Sequence, residues 1–115
     1  MIPAQAQMLR MYVRGGDRVA RRPLHEVIVE TARRLGLAGA SVFPIELAYG
    51  HGHHWHDASS EYIANDPPMV IEIVDAPERI ATLLEAVGSF SGHGLITVHP
   101  VRVIHYRHED TRNAS

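Results

Sequence analysis

The apolar residues of this chain follow one order of elements twice, and that order restricts the fold more than any single motif does. The predicted elements are a strand at 8–14, a helix at 23–35, strands at 40–49 and 69–74, a helix opened by 75–78 and running to 87, and a strand at 95–98. Two consecutive strand–helix–strand units predict an α+β fold, the ferredoxin-like βαββαβ sandwich. Its antiparallel sheet carries both helices on one face.

Residues with special backbone preferences mark where these elements begin and end. Pro23 suits the first position of a helix, and Gly36 suits the position just after one. Pro44 weakens the second strand. The run Asp75-Ala76-Pro77-Glu78 resembles a capping box at the start of the second helix.

The length of 115 residues predicts one domain spanning 1–115. After Pro100, alternating residues over 101–106 predict a short extra strand at the C-terminus. The tail 108–115 is polar, and we expect both termini, 1–7 and 108–115, to be frayed. The long polar interval 50–67 between strands two and three predicts a flexible loop.

The third predicted strand is almost entirely apolar, which is typical of a strand buried on both faces. Two helices cover only one face of such a sheet, so we expect copies of the chain to associate through the other. Glu72 interrupts this apolar strand. A carboxylate there needs a partner, and an arginine or a neighbouring subunit would provide one.

The composition excludes several classes of function. The chain has no cysteine and no lysine, which removes disulfides, thiol nucleophiles and lysine catalysis. Its serines lie in no nucleophile motif, so we expect no enzyme. A net charge of −2 gives no reason to expect nucleic-acid binding. No apolar run approaches the roughly 20 residues that span a bilayer, and the N-terminus has no signal-peptide pattern, so we expect a cytoplasmic protein without membrane insertion.

Four histidines within six residues form the densest cluster of potential ligands in the chain. They are His51, His53, His54 and His56. A curled loop can bring several imidazoles to one zinc, nickel or copper ion, with Asp57 or Glu61 adding an oxygen. The alternative is a polar loop whose histidines are only hydrated. Trp55, within the cluster, is a candidate contact for a partner protein.

Several strings in order along most of the chain are similar to the PII-like signalling proteins, and most of all to the family called domain of unknown function 190. They are Leu9-Arg10-Met11-Tyr12, Arg22-Pro23-Leu24-His25-Glu26, the run from Leu35 to Val42 (LGLAGASV), the run from Pro68 to Asp75 (PMVIEIVD) and Gly94-Leu95-Ile96-Thr97-Val98. The LGLAGA segment is the most specific of these.

The resemblance implies homotrimers that bind an adenine nucleotide (AMP, ADP or ATP) in clefts between subunits. The residues that it implies for this role are Gly50, Gly92, His93, Gly94, His105 and Arg107. Glycines before strand four would let backbone N–H groups converge on phosphate, and Arg107 would form a bidentate contact. Without the resemblance, the glycines are typical of a turn, and His105 and Arg107 of a solvated edge strand.

One departure from the family pattern affects this site. After strand two the family shows an arginine–glycine pair in a glycine-rich stretch that ends near Gly50. Here that stretch is Phe43-Pro44-Ile45-Glu46-Leu47-Ala48-Tyr49, and the arginine is absent. Any ligand contact of that arginine has no counterpart in this chain.

Two hypotheses about function remain at this point. The first is a PII-like regulator that binds a nucleotide and signals through loop 50–67. Members of the resembling family are linked to a fluoride channel, so a membrane transporter or channel is the expected partner. The alternative is a metal sensor or buffer that uses the histidine loop, as in the CutA-type trimers.

Overall fold

The computed structural model describes residues 2–49, 55–57, 67–88 and 94–107, and of 47–49 and 55–57 it describes the backbone. The strands are β1 (Gln5–Arg14), β2 (Arg18–Val19), β3 (Arg22–Pro23), β4 (Ser41–Pro44), β5 (Leu47–Tyr49), β6 (Trp55–Asp57), β7 (Pro68–Asp75) and β8 (Leu95–Arg102). The helices are α1 (Leu24–Arg34) and α2 (Pro77–Val87).

Four of the strands form the central sheet in the order β4–β7–β1–β8, and every neighbouring pair is antiparallel. Both helices pack against the same face of this sheet through the apolar core. The predicted ferredoxin-like α+β architecture is therefore confirmed. The remaining strands pair in two short sheets, β2 with β3 and β5 with β6.

Alternation along the two central strands explains which side chains form the core. Leu9 and Met11 of β1 and Ile71 and Ile73 of β7 are all at most 1% exposed, because every second residue points towards the helices. The helices contribute Ile28, Ala32, Ile80, Leu83 and Val87, spaced by three and four residues. Burying each large aliphatic side chain contributes about 1.5–3 kcal/mol. In α2 the buried residues Ile80, Leu83 and Val87 form a stripe, with the partly buried Leu84 at its margin.

The N-terminal strand is longer than predicted. β1 begins at Gln5 rather than at residue 8, so residues 5–7 belong to the sheet and are not a frayed terminus. Gln5 lies opposite Arg102 of β8, and this pairing holds the start of β1 in place. The C-terminal residues 108–115 lie outside the described residues.

The predicted second strand at 40–49 is two strands in the structure. β4 ends at Pro44, and β5 begins at Leu47 in a different sheet, where it pairs with β6. The weak point that the sequence indicated at Pro44 is where the strand divides. β6 falls within the predicted flexible loop 50–67, so part of that segment has strand backbone.

The predicted short final strand at 101–106 is wrong. β8 continues through Pro100 to Arg102, and residues 103–107 form no strand. Within the described residues β8 pairs only with β1 and lies at the edge of the sheet, where proline's missing N–H removes no ladder hydrogen bond. Val103 still donates its N–H to the carbonyl of Ala4 at 2.7 Å, so the chain runs on beside β1.

The predicted capping box at the start of α2 is also wrong. The residue at the N-cap is Ala76, which has no side-chain acceptor, and Pro77 is the first helical residue. The Asp75 carboxylate instead accepts hydrogen bonds from the N–H groups of Ala76 at 2.7 Å and Ala38 at 2.8 Å. Arg79 donates to the carbonyl of Gly36 at 2.6 Å. Together these contacts join the loop after α1 to the start of α2.

The end of α1 follows the prediction. Gly36 has a φ of +82°, in the left-handed region that glycine adopts without cost, and it follows the last turn of the helix. The N–H of Leu37 then bonds to the carbonyl of Ala32 at 3.0 Å and closes the turn. The segment Leu35 to Ala40 thus combines a helix stop with the amide that binds Asp75.

Candidate functional site: two ends of the sheet

The four strands of the sheet end together at one side, which we call the loop end and define by Arg14, Pro44, Pro68 and Leu95. Tyr12 of β1 lies opposite both Val70 and Leu95 there. The N–H of Ile45 bonds to the carbonyl of Pro68 at 2.9 Å. The chain from 45 to 67 therefore leaves and rejoins the sheet at the end where β8 begins.

Gly94 lies at the loop end, directly before β8, and its position explains why it is glycine. A Cβ at residue 94 would collide with the carbonyl oxygen of Tyr12, because β8 approaches β1 closely at this point. The requirement is steric and comes from the sheet. The close approach of the two strands is enough to explain the glycine at position 94, and no ligand is needed for that explanation. Gly92 and His93, predicted with it, lie outside the described residues, as does Gly50.

His105 and Arg107 lie at the opposite end of β8, which we call the tail end and define by Gln5, Asp75 and Arg102. Both residues are exposed. β8 runs for eight residues from Leu95 to Arg102, which corresponds to about 25 Å of extended strand. The bond from Val103 to Ala4 carries the chain further from Gly94. The structure thus does not bring Gly94 together with His105 and Arg107 within one chain.

The face of the sheet opposite the helices, which we call the open face, carries side chains in rows across the four strands. The row at the loop end is apolar and consists of Phe43, Val70, Tyr12 and Leu95, each opposite the next. Phe43 is 45% exposed and Leu95 is 61% exposed. Within the described residues neither helix covers this row. Exposed apolar side chains arranged in a line are typical of a contact surface.

The next row of the open face is polar, and it contains the partner predicted for Glu72. The Arg10 guanidinium donates to the Glu72 carboxylate at 2.9 Å, with Ser41 and Thr97 on either side of the pair. The side chains of Arg10 and Glu72 are 39% and 25% exposed, so the pair is partly shielded from water.

The alternation of β7 differs from the prediction of a strand buried on both faces. Ile71, Ile73 and Asp75 are buried, whereas Val70, Glu72 and Val74 are only half-buried in the single chain. The prediction of burial is therefore correct for the face of β7 that packs against the helices. The side chains on the open face would be buried only by contact with something outside the described residues.

The histidine cluster falls almost entirely outside the described residues. His51, His53 and His54 connect β5 to β6, and of Trp55 and His56 the structure describes the backbone, with His56 opposite Ala48. Across 2–46, 67–88 and 94–107, no group of three histidine or acidic side chains could hold a metal ion. The predicted metal site is therefore without support among the residues described.

Comparison with known proteins agrees with this architecture. Residues 6–103 match the DUF190 family, described as uncharacterized ACR. The chain belongs to the DUF190 family. A DUF190-like relative, the UPF0166 protein of Aquifex aeolicus, is 29% identical over 99 residues, which cover 86% of this chain and 93% of that protein.

Solved structures similar to this DUF190 chain include PII-like proteins. One is CPII of Thiomonas intermedia K12, a nitrogen regulatory PII-like protein bound to ADP, AMP and bicarbonate, with a TM-score of 0.66, 19% identity, and coverage of 86% of this chain and 88% of that one. Another is a putative PII-like signalling protein of Thermus thermophilus, with a TM-score of 0.65, 18% identity, and coverage of 90% and 94%. At this identity the likeness shows a shared fold.

Neither α1 nor α2 is long and apolar enough to cross a bilayer, and the described residues contain no other helix.

The structure explains why two of the sequence stretches that resemble the family have the residues they do. The LGLAGA segment supplies the helix stop and the Ala38 amide that binds Asp75, and Gly94 allows β8 to approach β1. The sequence predicted an arginine as one possible partner of Glu72 but did not identify which one, and the structure shows that it is Arg10. Arg10 alternates with Leu9 and Met11, and that alternation was the available signal.

Proposed function

We propose that this chain is a non-enzymatic PII-like regulator, a cytoplasmic homotrimer that binds an adenine nucleotide or a similar small anion in clefts between subunits. Occupancy of the clefts changes how residues 50–67 contact a partner protein, for which a membrane transporter or channel is the expected class. CPII, which shares this fold, is bound to ADP and AMP, and this supports the choice of ligand.

The observation that carries the proposal is the separation of the two predicted phosphate-binding elements. Gly94 lies at the loop end, and His105 and Arg107 lie beyond the tail end, about 25 Å of strand away. A nucleotide spans much less than that. A site that uses both elements must therefore take the loop end of one subunit and the tail end of its neighbour.

The open face gives an independent reason for subunits to associate. Phe43 and Leu95 expose apolar area that neither described helix covers, while Val70 and Tyr12 are half-buried beside them. Burying such area contributes about 25 cal/mol per Å². A closed ring of copies hides this face and at the same time forms repeated clefts between loop and tail ends.

Each predicted residue has a chemical role in such a cleft. The glycine-rich backbone before Leu95 would offer N–H groups to phosphate oxygens. Arg107 forms a bidentate contact with the same phosphates from the neighbouring subunit. His105 adds a donor when its imidazole is protonated. The chain offers no nucleophile motif, which supports binding without turnover.

The path of the long loop explains how binding would be transmitted. Residues 45–67 leave and rejoin the sheet beside Pro68, at the same end as Gly94. A ligand at the loop end therefore lies next to the base of the segment that would contact the partner. Coupling between the two contacts requires only that the bound and free states hold this base differently.

Sedimentation velocity at micromolar concentration tests the assembly. The expected result is a single species of about three chain masses, and substitution of Leu95→Ser together with Phe43→Ser shifts it towards the single chain without loss of helical circular dichroism. Val98→Ser is the matched control, since Val98 lies on β8 opposite the core residue Leu9. A stable single-chain particle for the unmodified protein rules out the clefts.

Calorimetry with AMP, ADP and ATP, and separately with zinc, nickel and copper, tests the ligand. Nucleotide binding is expected to survive conversion of His51, His53, His54 and His56 to alanine, and to be lost in Arg107→Glu but not in the control Arg34→Glu. If the protein releases heat with a metal ion but not with a nucleotide, and the four-histidine variant no longer does so, the result supports the metal sensor instead.

Mixing two inactive variants tests whether each cleft is shared. A loop-end variant, His93→Glu, and a tail-end variant, Arg107→Glu, are each expected to bind no nucleotide. Co-refolded in equal amounts, they form rings in which about a quarter of the clefts combine two intact sides, and binding returns with that stoichiometry. A site made within one chain gives no recovery.

A further inference from the structure

The hairpin between β1 and α1 combines a strained turn with uncompensated positive charge. Val19 lies opposite Arg22, so Ala20 and Arg21 form a two-residue connection between β2 and β3. Both have positive φ, 50° and 70°. This is the type I′ geometry for which asparagine followed by glycine is preferred, because a side chain with a Cβ is strained in the left-handed region. The chain thus tolerates strain at Arg21 that glycine would remove.

The arginines of this hairpin differ in how their charge is compensated. Arg22 contacts the Glu30 carboxylate at 2.5 Å, and this bond and the charge of Glu30 raise the pKa of Arg22. Among the described residues, Arg18 donates to a backbone carbonyl, that of Arg21, at 3.4 Å and forms no ion pair. No described residue accepts a hydrogen bond from the Arg21 side chain, and both Arg18 and Arg21 are exposed. Within the part of the chain that the structure describes, these two guanidinium groups therefore have no carboxylate partner.

The base of the hairpin is rigid, although its tip is strained. The N–H of Leu24 donates to the carbonyl of Asp17 at 2.7 Å, and the Asp17 carboxylate accepts from the N–H of Arg14 at 2.9 Å. Gly15 donates to the carbonyl of Pro67 at 2.7 Å, which places the base at the loop end of the sheet. Val19 packs against the core. The tip is held in one orientation at low entropic cost.

We propose that the β2–β3 hairpin is a docking element for an acidic protein surface, with Arg18 and Arg21 forming bidentate contacts to its carboxylates. Strained backbone retained at an exposed position is typical of a functional constraint. Two free arginines are too few for attraction to a lipid surface, for which clusters of about 4–8 basic residues are typical. A chain of net charge −2 is a poor match for nucleic acid. The inference is independent of nucleotide binding.

Fluorescence anisotropy with a labelled oligo-glutamate peptide tests the charge, with oligo-glutamine as the uncharged probe. Arg18→Gln/Arg21→Gln is expected to weaken oligo-glutamate binding about tenfold, the loss of about 1.4 kcal/mol. The matched control is Arg33→Gln/Arg34→Gln, which removes the same charge from the exposed end of α1 and is expected to change binding less than about twofold. Equal losses in both variants, or no binding by the unmodified protein, overturn the proposal.

Two substitutions within the turn separate the arginine's role from the strain. Ala20→Asn relieves strain and keeps both arginines, so we expect a rise in thermal midpoint of about 1–4 °C with unchanged peptide binding. Arg21→Gly relieves strain and removes one guanidinium, so we expect a similar rise in midpoint with weaker binding. A fall in midpoint with binding intact would assign Arg21 a purely structural role and overturn the proposal.

The same variants distinguish a lipid surface from an acidic protein. Vesicles of phosphatidylcholine with phosphatidylserine are expected to bind the unmodified protein and Arg18→Gln/Arg21→Gln equally weakly. Vesicle binding that depends on Arg18 and Arg21, without binding of oligo-glutamate, contradicts the proposed partner class.

Discussion

The two faces of the central sheet are formed by the same strands but meet different surroundings. On one face, Leu9 and Ile71 are completely buried against both helices. On the other, their chain neighbours Arg10 and Val70 are only half-buried, and Leu95 is largely exposed. The comparison teaches that one face stabilises the single chain, while the other is left to contact something else. Side chains of similar size should therefore have very different effects on the two faces.

The largest expected effect is a loss of core volume. Leu9→Ala leaves a cavity that the helices cannot fill, so we expect the free energy of unfolding to fall by about 2–5 kcal/mol. Val70→Ala, on the open face, is expected to cost less than about 1 kcal/mol in the dissociated chain. Urea denaturation followed by circular dichroism at low protein concentration measures both. Equal losses would mean that the open face is already covered within the chain.

Two carboxylates of β7 extend the comparison from volume to charge. Asp75 is 2% exposed, and its carboxylate accepts hydrogen bonds from two backbone amides. One amide is that of Ala38, in the loop after α1, and the other is that of Ala76, at the start of α2. Asp75→Asn turns one acceptor into a donor that faces an N–H group, so we expect a loss of about 2–3 kcal/mol. Glu72→Gln removes a half-exposed ion pair with Arg10, for which about 0.2–1 kcal/mol is expected. A larger loss at Glu72 would contradict the assignment of stability to the core face.

Two glycines test whether the loop-end row of the open face depends on strand spacing. Gly94→Ala forces β8 away from the Tyr12 carbonyl, so we expect a loss of about 1–3 kcal/mol and displacement of Leu95 from its row. Gly39→Ala is the control, because nothing lies within 4 Å of a Cβ there and its φ is not in the left-handed region. We expect Gly39→Ala to be neutral or stabilising by about 0.4–1 kcal/mol. Thermal denaturation of the two variants gives the comparison, and a harmless Gly94→Ala would refute the steric account.

The sequence predicted those parts of the fold that depend on local periodicity. The alternation over β1 was enough to predict a strand, and the spacing of three and four residues in α2 was enough to predict a helix. Each pattern shows directly which side chains of its own segment are buried. The capping box failed because the Asp75 carboxylate makes a tertiary contact with the amide of Ala38, 37 residues earlier in the chain. The β2–β3 hairpin was missed because its turn has none of the asparagine or glycine that usually signals one.

The candidate site was less predictable than the fold, for a physical reason. Gly94 and Arg107 were grouped by resemblance, and only strand length shows that they lie at opposite ends of β8. The open face was inferred from the apolar third strand. Its division into an apolar row and a polar row depends on register across four strands, which no single segment of sequence contains.

The smallest expected effect concerns a pair that belongs to neither face, Arg22 and Glu30 on the outer surface. The hydrogen bond from Arg22, followed by its charge, lowers the pKa of Glu30. Because this pKa is lower in the folded than in the unfolded chain, the pair stabilises the protein above the usual carboxylate range, near pH 4.3, and the contribution disappears as the pH falls through the pKa of folded Glu30.

Comparison of the unmodified protein with Glu30→Gln therefore isolates this contribution. We expect a slightly lower thermal midpoint for Glu30→Gln at pH 7, a gap that narrows as the pH falls below the usual carboxylate range and that also closes in 1 M salt, since both side chains are about half exposed. The partly shielded Arg10–Glu72 pair provides the contrast, because its effect should be less sensitive to salt. A gap at Glu30 that does not narrow as the pH falls, or one that salt leaves unchanged, would show that Glu30 stabilises α1 by packing rather than by charge.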